Sequence, residues 1–274
     1  MTDLSIVIVS FNGRELLQEC LSSLFAAKLS LSYEVHVVDN ASSDGTPNMV
    51  QNEFPQVHLV ANADNIGFAR ANNQILRDLK ARYALLLNPD MVVAQNAIEA
   101  MVGFMDTHAD IGALGPRLLN PDGSLQYSCR RFPNAVAIFL RGLGLFRMLP
   151  KLPMRQRYFM LDWDHRTVAE VDWIMGSCMM LRREALQQVG FLDERFFMYY
   201  EDVDLCRRMW KQWKVCYLPE IPMLHHHRQE SHRLSSLRVR FIHLQSAWRF
   251  FAKHGWCPTR PECLRVRVPS ETIQ

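Results

Sequence analysis

Three groups of side chains in this sequence could do chemistry. Asn88-Pro89-Asp90 closes a short apolar run that begins at Tyr83. Glu201, Asp202 and Asp204 follow a cluster of five aromatics between Phe191 and Tyr200, and His225-His226-His227 ends a run that begins at Pro219. A carboxylate and an imidazole together suit a divalent cation, one as a hard oxygen donor and the other as a ligand for metals such as manganese and zinc. A carboxylate held against apolar rings has its ionised form disfavoured, and the raised pKa is what a general base requires. Each group also has a plainer use. Asp90 could cap a helix expected from about Ala94, and the acidic trio suits the positive end of the helix that Val203, Cys206, Met209 and Trp210 imply. Yet three carboxylates exceed what one cap needs, and three consecutive histidines exceed what a core absorbs.

The elements that must position these groups are legible as periodicity. Residues 4–10, 33–38, 57–60 and 83–87 read as strands, and residues 14–27, 68–79 and 94–108 as helices. This alternation implies a mostly parallel sheet with right-handed crossovers. Ser10-Phe11-Asn12, Asp39, Asn65 and Asp90 each follow a strand, so their turns converge on the carboxyl edge of the sheet, where open α/β sheets bind ligands. Pro89 cannot donate to a ladder and pushes Asn88 towards an extended conformation. The first turn, Ser10 to Arg14, lacks the G-x-G-x-x-G cradle of a dinucleotide site, and there is no P-loop. The charge of a bound diphosphate would then fall to a metal and to basic side chains, which favours Asp90 as a ligand over a cap.

Beyond Gly112 the alternation breaks down. Asn120-Pro121-Asp122-Gly123 predicts a hairpin. Residues 134–149 are apolar but interrupted by Arg141 and Arg147, a pattern that fits a core-facing helix or an interfacial one with snorkelling arginines. Strands are expected over 168–175, 178–181 and 219–224, and a short helix over 182–189 closed by Gly190. A last helix over 234–254 has Leu237, Phe241, Leu244, Trp248 and Phe251 on one face.

The 274 residues, 49% hydrophobic and 22% charged, fit one large globular domain. No apolar run reaches the about 18 residues a membrane span needs. The N-terminus enters a strand directly, without the regions of a signal peptide, and seven scattered cysteines without a CxxC pair point to reduced thiols in the cytosol. The net charge of +3 is unevenly placed: residues 123–161 contain no acidic residue, and a second basic stretch covers 225–267. Such asymmetry points to an anionic partner. No nucleic-acid recognition module accompanies it, which leaves phosphate esters or an anionic membrane surface.

Taken in order, these pieces resemble the inverting family 2 glycosyltransferases of GT-A fold, and among them the rhamnosyltransferase-like branch of bacterial O-antigen and cell-wall polysaccharide biosynthesis. The resemblance covers roughly residues 4–250 and is carried by Ser-Ile-Val-Ile-Val-Ser-Phe-Asn at 5–12, Val-Val-Asp-Asn-Ala-Ser-Ser-Asp-Gly-Thr at 37–46 and Asn-Ile-Gly-Phe-Ala-Arg-Ala-Asn-Asn at 65–73. Leu-Leu-Asn-Pro-Asp at 86–90, Trp-Ile-Met-Gly-Ser-Cys at 173–178 and Phe-Met-Tyr-Tyr-Glu-Asp-Val-Asp-Leu-Cys-Arg-Arg at 197–208 complete it. It implies an α/β fold: a mostly parallel, Rossmann-like nucleotide-binding sheet flanked by helices, a mixed acceptor-side region and C-terminal helices. Residues 1–115 would form the nucleotide-sugar half, 116–256 the acceptor and catalytic-base half of the same domain, and 257–274 a disordered tail.

The resemblance also implies roles. Ser10, Phe11, Asn12 and Asp39 would hold the nucleobase and ribose of a nucleotide-diphosphate sugar, with Asn65, Gly67 and Arg70 lining the nucleotide pocket and Arg70 near the diphosphate. Asn88-Pro89-Asp90 stands at the family's D-x-D motif, with Asp90 as ligand for Mg²⁺ or Mn²⁺ and an amide at position 88 replacing the first carboxylate. The late metal-ligating histidine matches His225 best. Gly176 would floor the sugar or acceptor site, and Asp202, beside Glu201, would be the general base. The donor would be dTDP-rhamnose first, then UDP-sugars, and the acceptor a saccharide or polyprenyl-linked saccharide at the inner face of the plasma membrane. The competing readings are a nucleotidyltransferase, which usually carries a glycine-rich basic loop absent here, and a non-catalytic polysaccharide-binding relative.

Overall fold

A computed structural model describes residues 2–142, 145–226 and 236–261 of the chain. The N-terminal half alternates β1 (Leu4–Ser10), α1 (Arg14–Ala26), β2 (Tyr33–Asp39), α2 (Thr46–Glu53), β3 (His58–Ala61), α3 (Phe68–Leu76) and β4 (Tyr83–Leu87). It continues through β5 (Met91–Val92), α4 (Ala97–Thr107), β6 (Ile111–Leu119), β7 (Leu125–Gln126) and β8 (Cys129–Arg130). Three short helices, α5 (Ala135–Gly142), α6 (Leu145–Met148) and α7 (Pro153–Phe159), precede β9 (Ala169–Glu170), β10 (Trp173–Ile174) and β11 (Cys178–Arg182). The chain closes with α8 (Arg183–Val189), α9 (Glu201–Met209), β12 (Lys214–His225) and α10 (Ser236–His254).

The main sheet runs β3-β2-β1-β4-β11-β6-β12-β5, parallel from β3 to β4 and mixed beyond, because β11 runs antiparallel to both β4 and β6. Every residue of β1 and β4 is buried, as expected for strands covered on both faces. One face packs against the stripe Leu17, Cys20, Leu21 and Leu24 of α1. Each fully buried side chain of this kind stabilises the fold by ~1.5–3 kcal/mol.

Register decides what meets at the carboxyl edge. Ser10 pairs with Asp39, Asp39 with Ala61 and Ile8 with Leu87, so the turns after the first four strands open on one side. Antiparallel β11 begins there, with Cys178 opposite Leu87, and the Asn88 N–H donates to the Ser177 carbonyl at 2.8 Å. His225, at the far end of β12, pairs with Met91 of β5 and so arrives beside Asp90.

Several expectations from periodicity shift. Residues 168–175 form two short strands, and β12 begins five residues before the expected Pro219 because β6 pairs with it from Lys214. The helix expected from Ala94 begins at Ala97 with Asn96 before it, so Asp90 is not its cap. Of the apolar face expected on α10, Phe251 reaches the core together with Ile242, Ala247 and Phe250, while Leu237, Phe241, Leu244 and Trp248 face solvent. The tail expected over 257–274 lies outside the described residues from position 262 on.

Candidate active site

A cavity of about 410 Å³ opens on the carboxyl edge, between the first four strands and the segment that leads into α9. On its floor, Asp90 Oδ1 lies 3.1 Å from His225 Nε2, both residues being buried. Gln126 clasps His225 twice: its Nε2 donates to the His225 carbonyl at 2.9 Å, and its Oε1 lies 2.8 Å from Nδ1. That Nε2 also donates to Asn120 Oδ1, which fixes the amide's orientation and makes imidazole Nδ1–H the donor to Oε1. His225 Nε2 then faces a carboxylate oxygen, and two facing acceptors need a shared cation, either a proton on the imidazole or a metal ion. Cis ligands ~2.1 Å from one octahedral ion stand ~3.0 Å apart, so the pair fits a divalent cation. Among the described residues no group of three His, Cys, Asp or Glu side chains gathers around a point. The remaining ligands would have to come from substrate oxygens and water.

The opposite wall is the start of α9. Tyr199 and Tyr200 both hold positive φ, 71° and 70°, a left-handed backbone that costs such side chains about 1 kcal/mol or more each. The bend delivers Glu201 and Asp202 into the cavity at the helix's first turn, and the Tyr200 ring packs on His243 and Phe250 of α10. Burial raises the carboxyl pKa of both acids. Glu201 rises well above the usual range because Oε2 is buried without a partner and the Asp202 charge adds to the effect. Asp202 is raised less far, since the Gly176 N–H donates to Oδ2 at 3.0 Å and the Val203 N–H to Oδ1 at 2.8 Å, and Arg130 favours its charge. Asp202 is thus the acid of the pair whose charged form two backbone N–H groups support.

The other expected residues divide by place. Ser10, Phe11, Asn65, Gly67, Asn88 and Gly176 line the cavity. Gly67 answers a backbone demand: at φ 85° a Cβ there would stand 2.5 Å from the Phe197 carbonyl oxygen, which accepts the Phe68 N–H at the start of α3. Asp39, Asn12 and Arg70 stand outside the lining. Asp39 is buried, with Oδ2 accepting the Ser42 N–H and Oδ1 unpartnered. Asn12 stitches the neighbouring loop by accepting the Ser43 N–H at 2.8 Å, and Arg70 is exposed, 3.8 Å from Glu194. Of the three histidines, His226 contacts Glu19 and His227 lies outside the described residues.

Sequence reasoning missed Arg130, Arg141 and His243, which also line the cavity. Arg130 stacks over Trp173 at 5.2 Å, and burial beside Arg141 lowers the His243 pKa to about 4, so this imidazole is neutral. The acid-free run marked the two arginines as basic but gave no depth for them; nothing in the periodicity set His243 apart. Four lining side chains, Ser10, Ser177, Tyr200 and Glu201, each keep a buried polar atom without a partner. Native interiors seldom tolerate such orphans, and their concentration here fits a cavity shaped for a polar ligand.

The sheet, parallel in its first half and mixed in its second, is shared with solved glycosyltransferases of GT-A fold. The structure of mannosyltransferase PcManGT from Pyrobaculum calidifontis, solved with GDP-Man and Mn²⁺, shares the fold with a TM-score of 0.61 over 96% of this chain and 69% of its own, at 18% identity. Residues 5–190 match the family described as Glycosyl transferase family 2. The chain is 33% identical, over 277 aligned positions, to the N-acetylglucosaminyl-diphospho-decaprenol L-rhamnosyltransferase of Mycobacterium tuberculosis, covering 93% of this chain and 87% of that protein. It is 25% identical to the rhamnosyltransferase WbbL of Escherichia coli, covering 90% and 92%. The chain belongs to glycosyl transferase family 2.

Proposed function

We propose that this protein is an inverting, metal-dependent glycosyltransferase that moves rhamnose from dTDP-rhamnose to a lipid-linked saccharide during cell-surface polysaccharide synthesis. The observation that carries this reading is the meeting of Asp90 and His225, 135 positions apart in sequence, with Asp202 on the facing wall of one cavity. Asp202 takes the proton of the acceptor hydroxyl while that oxygen bonds to the anomeric carbon. The bond from that carbon to the diphosphate oxygen breaks, its electron pair leaves on the nucleoside diphosphate, and attack from the opposite face inverts the configuration. Asp90 and His225 would hold Mg²⁺ or Mn²⁺, which when bound supplies positive charge to the leaving diphosphate.

Ser10, Phe11, Asn65, Gly67 and Asn88 form the donor side, with the unpartnered Asp39 oxygen and Asn12 behind them for the nucleoside. Arg70 would have to leave Glu194 to reach a phosphate. Gly176 fixes Asp202 through its N–H and floors the acceptor side. Rhamnose rests on the names of the two relatives above, and the lipid carrier on that of the Mycobacterium tuberculosis protein. A lipid carrier places the work at a membrane surface, on its cytoplasmic face by the sequence reading. Among the described residues no helix is long and apolar enough to cross one.

Hydrolysis and transfer assays with a panel of dTDP-, UDP- and GDP-sugars test this. We expect dTDP-rhamnose to turn over fastest, EDTA to abolish turnover and Mn²⁺ or Mg²⁺ to restore it. If no sugar nucleotide binds, the transferase reading fails; full activity in excess EDTA removes the metal assignment alone.

A further inference from the structure

Exposed apolar side chains on this protein are not scattered. Among the described residues eleven large ones stand exposed, and nine of these sit on α5, α6, α10 and the turns just after α6 and α10. Leu237, Phe241, Leu244 and Trp248 recur at i, i+4, i+7 and i+11, one stripe along α10, and are 62–74% exposed. The stripe continues into a neighbouring helix: Trp248 meets Trp256 edge-on at 5.7 Å, the Trp256 carbonyl accepts the Ala135 N–H, and α5 there exposes Val136 and Phe139. The other side of α10 belongs to the active-site wall, where His243 lines the cavity and Ser246 Oγ donates to the Met198 carbonyl at 2.9 Å. One helix thus separates the candidate active site from an apolar outer face.

Charge identifies the occupant. Neither α10 nor the stretch 123–161 contains an acidic residue, while Arg238, Arg240, Arg141, Lys151 and Arg157 are exposed on or beside these helices. A second copy docking by two-fold symmetry would set this acid-free, cationic face against itself. An anionic lipid surface complements it. Leu, Phe and Trp on one stripe with arginines beside it is the composition of a helix that lies in the headgroup plane, apolar side down and cations at the phosphates.

We propose that α10, with Trp256 and the exposed side of α5, docks this protein on anionic membrane through that stripe, holding the cavity beside the lipid surface. The docking stands on the exposed stripe and its charge; its use, presenting a lipid-borne acceptor to Asp202, rests on the transferase reading.

Co-sedimentation of the full chain with phosphatidylcholine vesicles, plain or with about 30% phosphatidylglycerol, tests it. We expect binding to the anionic vesicles that weakens with salt. Phe241→Glu with Trp248→Glu should cut the bound fraction about tenfold or more, and Arg240→Glu should weaken binding to anionic vesicles only. These side chains lie outside the cavity lining, so hydrolysis of a soluble sugar nucleotide should be unchanged, which also shows that the variants fold. Equal pelleting of parent and double variant overturns the proposal, as does failure of the parent to pellet. So does a parent dimer, seen by light scattering, that the double substitution dissociates without altering vesicle binding. Vesicle binding with no turnover of any sugar nucleotide would sink the transferase reading and leave the docking intact; turnover without vesicle binding would do the reverse.

Discussion

At the scale of single residues, Asp202 is set apart by balance. Burial raises its pKa while two backbone N–H donors and Arg130 hold it back, and burial with the Asp202 charge raises Glu201 well above the usual range. Asp202→Asn keeps the shape and, through its one amide oxygen, one of the two backbone N–H contacts, but cannot take a proton. Turnover should fall about 10²–10⁴-fold while calorimetry shows donor binding preserved; near-normal turnover would remove Asp202 as the base. The parent's pH profile carries the same signature. A base must be ionised, so the rate falls as pH drops through its pKa, and that acid limb should lie above the ordinary carboxylate range. The apparent value belongs to the Glu201–Asp202 pair and not to either acid alone.

At the scale of elements, the carboxyl ends of β4 and β12 bring Asp90 and His225 together, and the hairpin from β6 to β7 adds Gln126. The hairpin was legible as a turn, but its tip residues gave no sign of chemistry. Gln126 holds the ring orientation and the tautomer of His225, so its loss should loosen a bound cation without removing a ligand. Gln126→Ala should weaken Mn²⁺ binding about 10–100-fold in an electron paramagnetic resonance titration. Gln126→Glu, which keeps an acceptor for Nδ1–H, should recover part of it. Unchanged affinity in Gln126→Ala would make the clasp a structural tie only.

At the scale of the whole molecule, Asp204 joins the α9 wall of the cavity to α10. Fully buried, it accepts Arg208 Nε at 2.8 Å and faces Lys253 Nζ at 2.6 Å and His254 Nε2 at 2.7 Å. Burial alone would raise its pKa, but the His254 hydrogen bond and the two cations hold it below the usual range. A depressed folded pKa gives stability that is present above the unfolded value and lost as pH falls through the folded one. Asp204→Ala would leave three basic groups facing one another. It should cost about 3–5 kcal/mol, a fall of roughly 10 °C in Tm by calorimetry, and the gap from the parent should narrow in acid.

What the sequence determined by itself was local. Largely apolar runs such as Leu4–Ser10 and Tyr83–Leu87 became strands with those bounds, and the 3.6-residue stripe of α1 became its buried face, because period and burial are properties of neighbours along the chain. The polar turns could be assigned to one edge because parallel strands share a direction, and the ordered motifs gave the family. Tertiary structure decided what depends on distant partners. It set Asp90 beside His225, the pair that the sequence reading favoured, and put Arg130, Arg141 and His243 in the cavity wall. It also turned the apolar stripe of α10 outward, since a stripe records only that a face is apolar, and whether that face meets the core or something outside is set by which elements pack beside it.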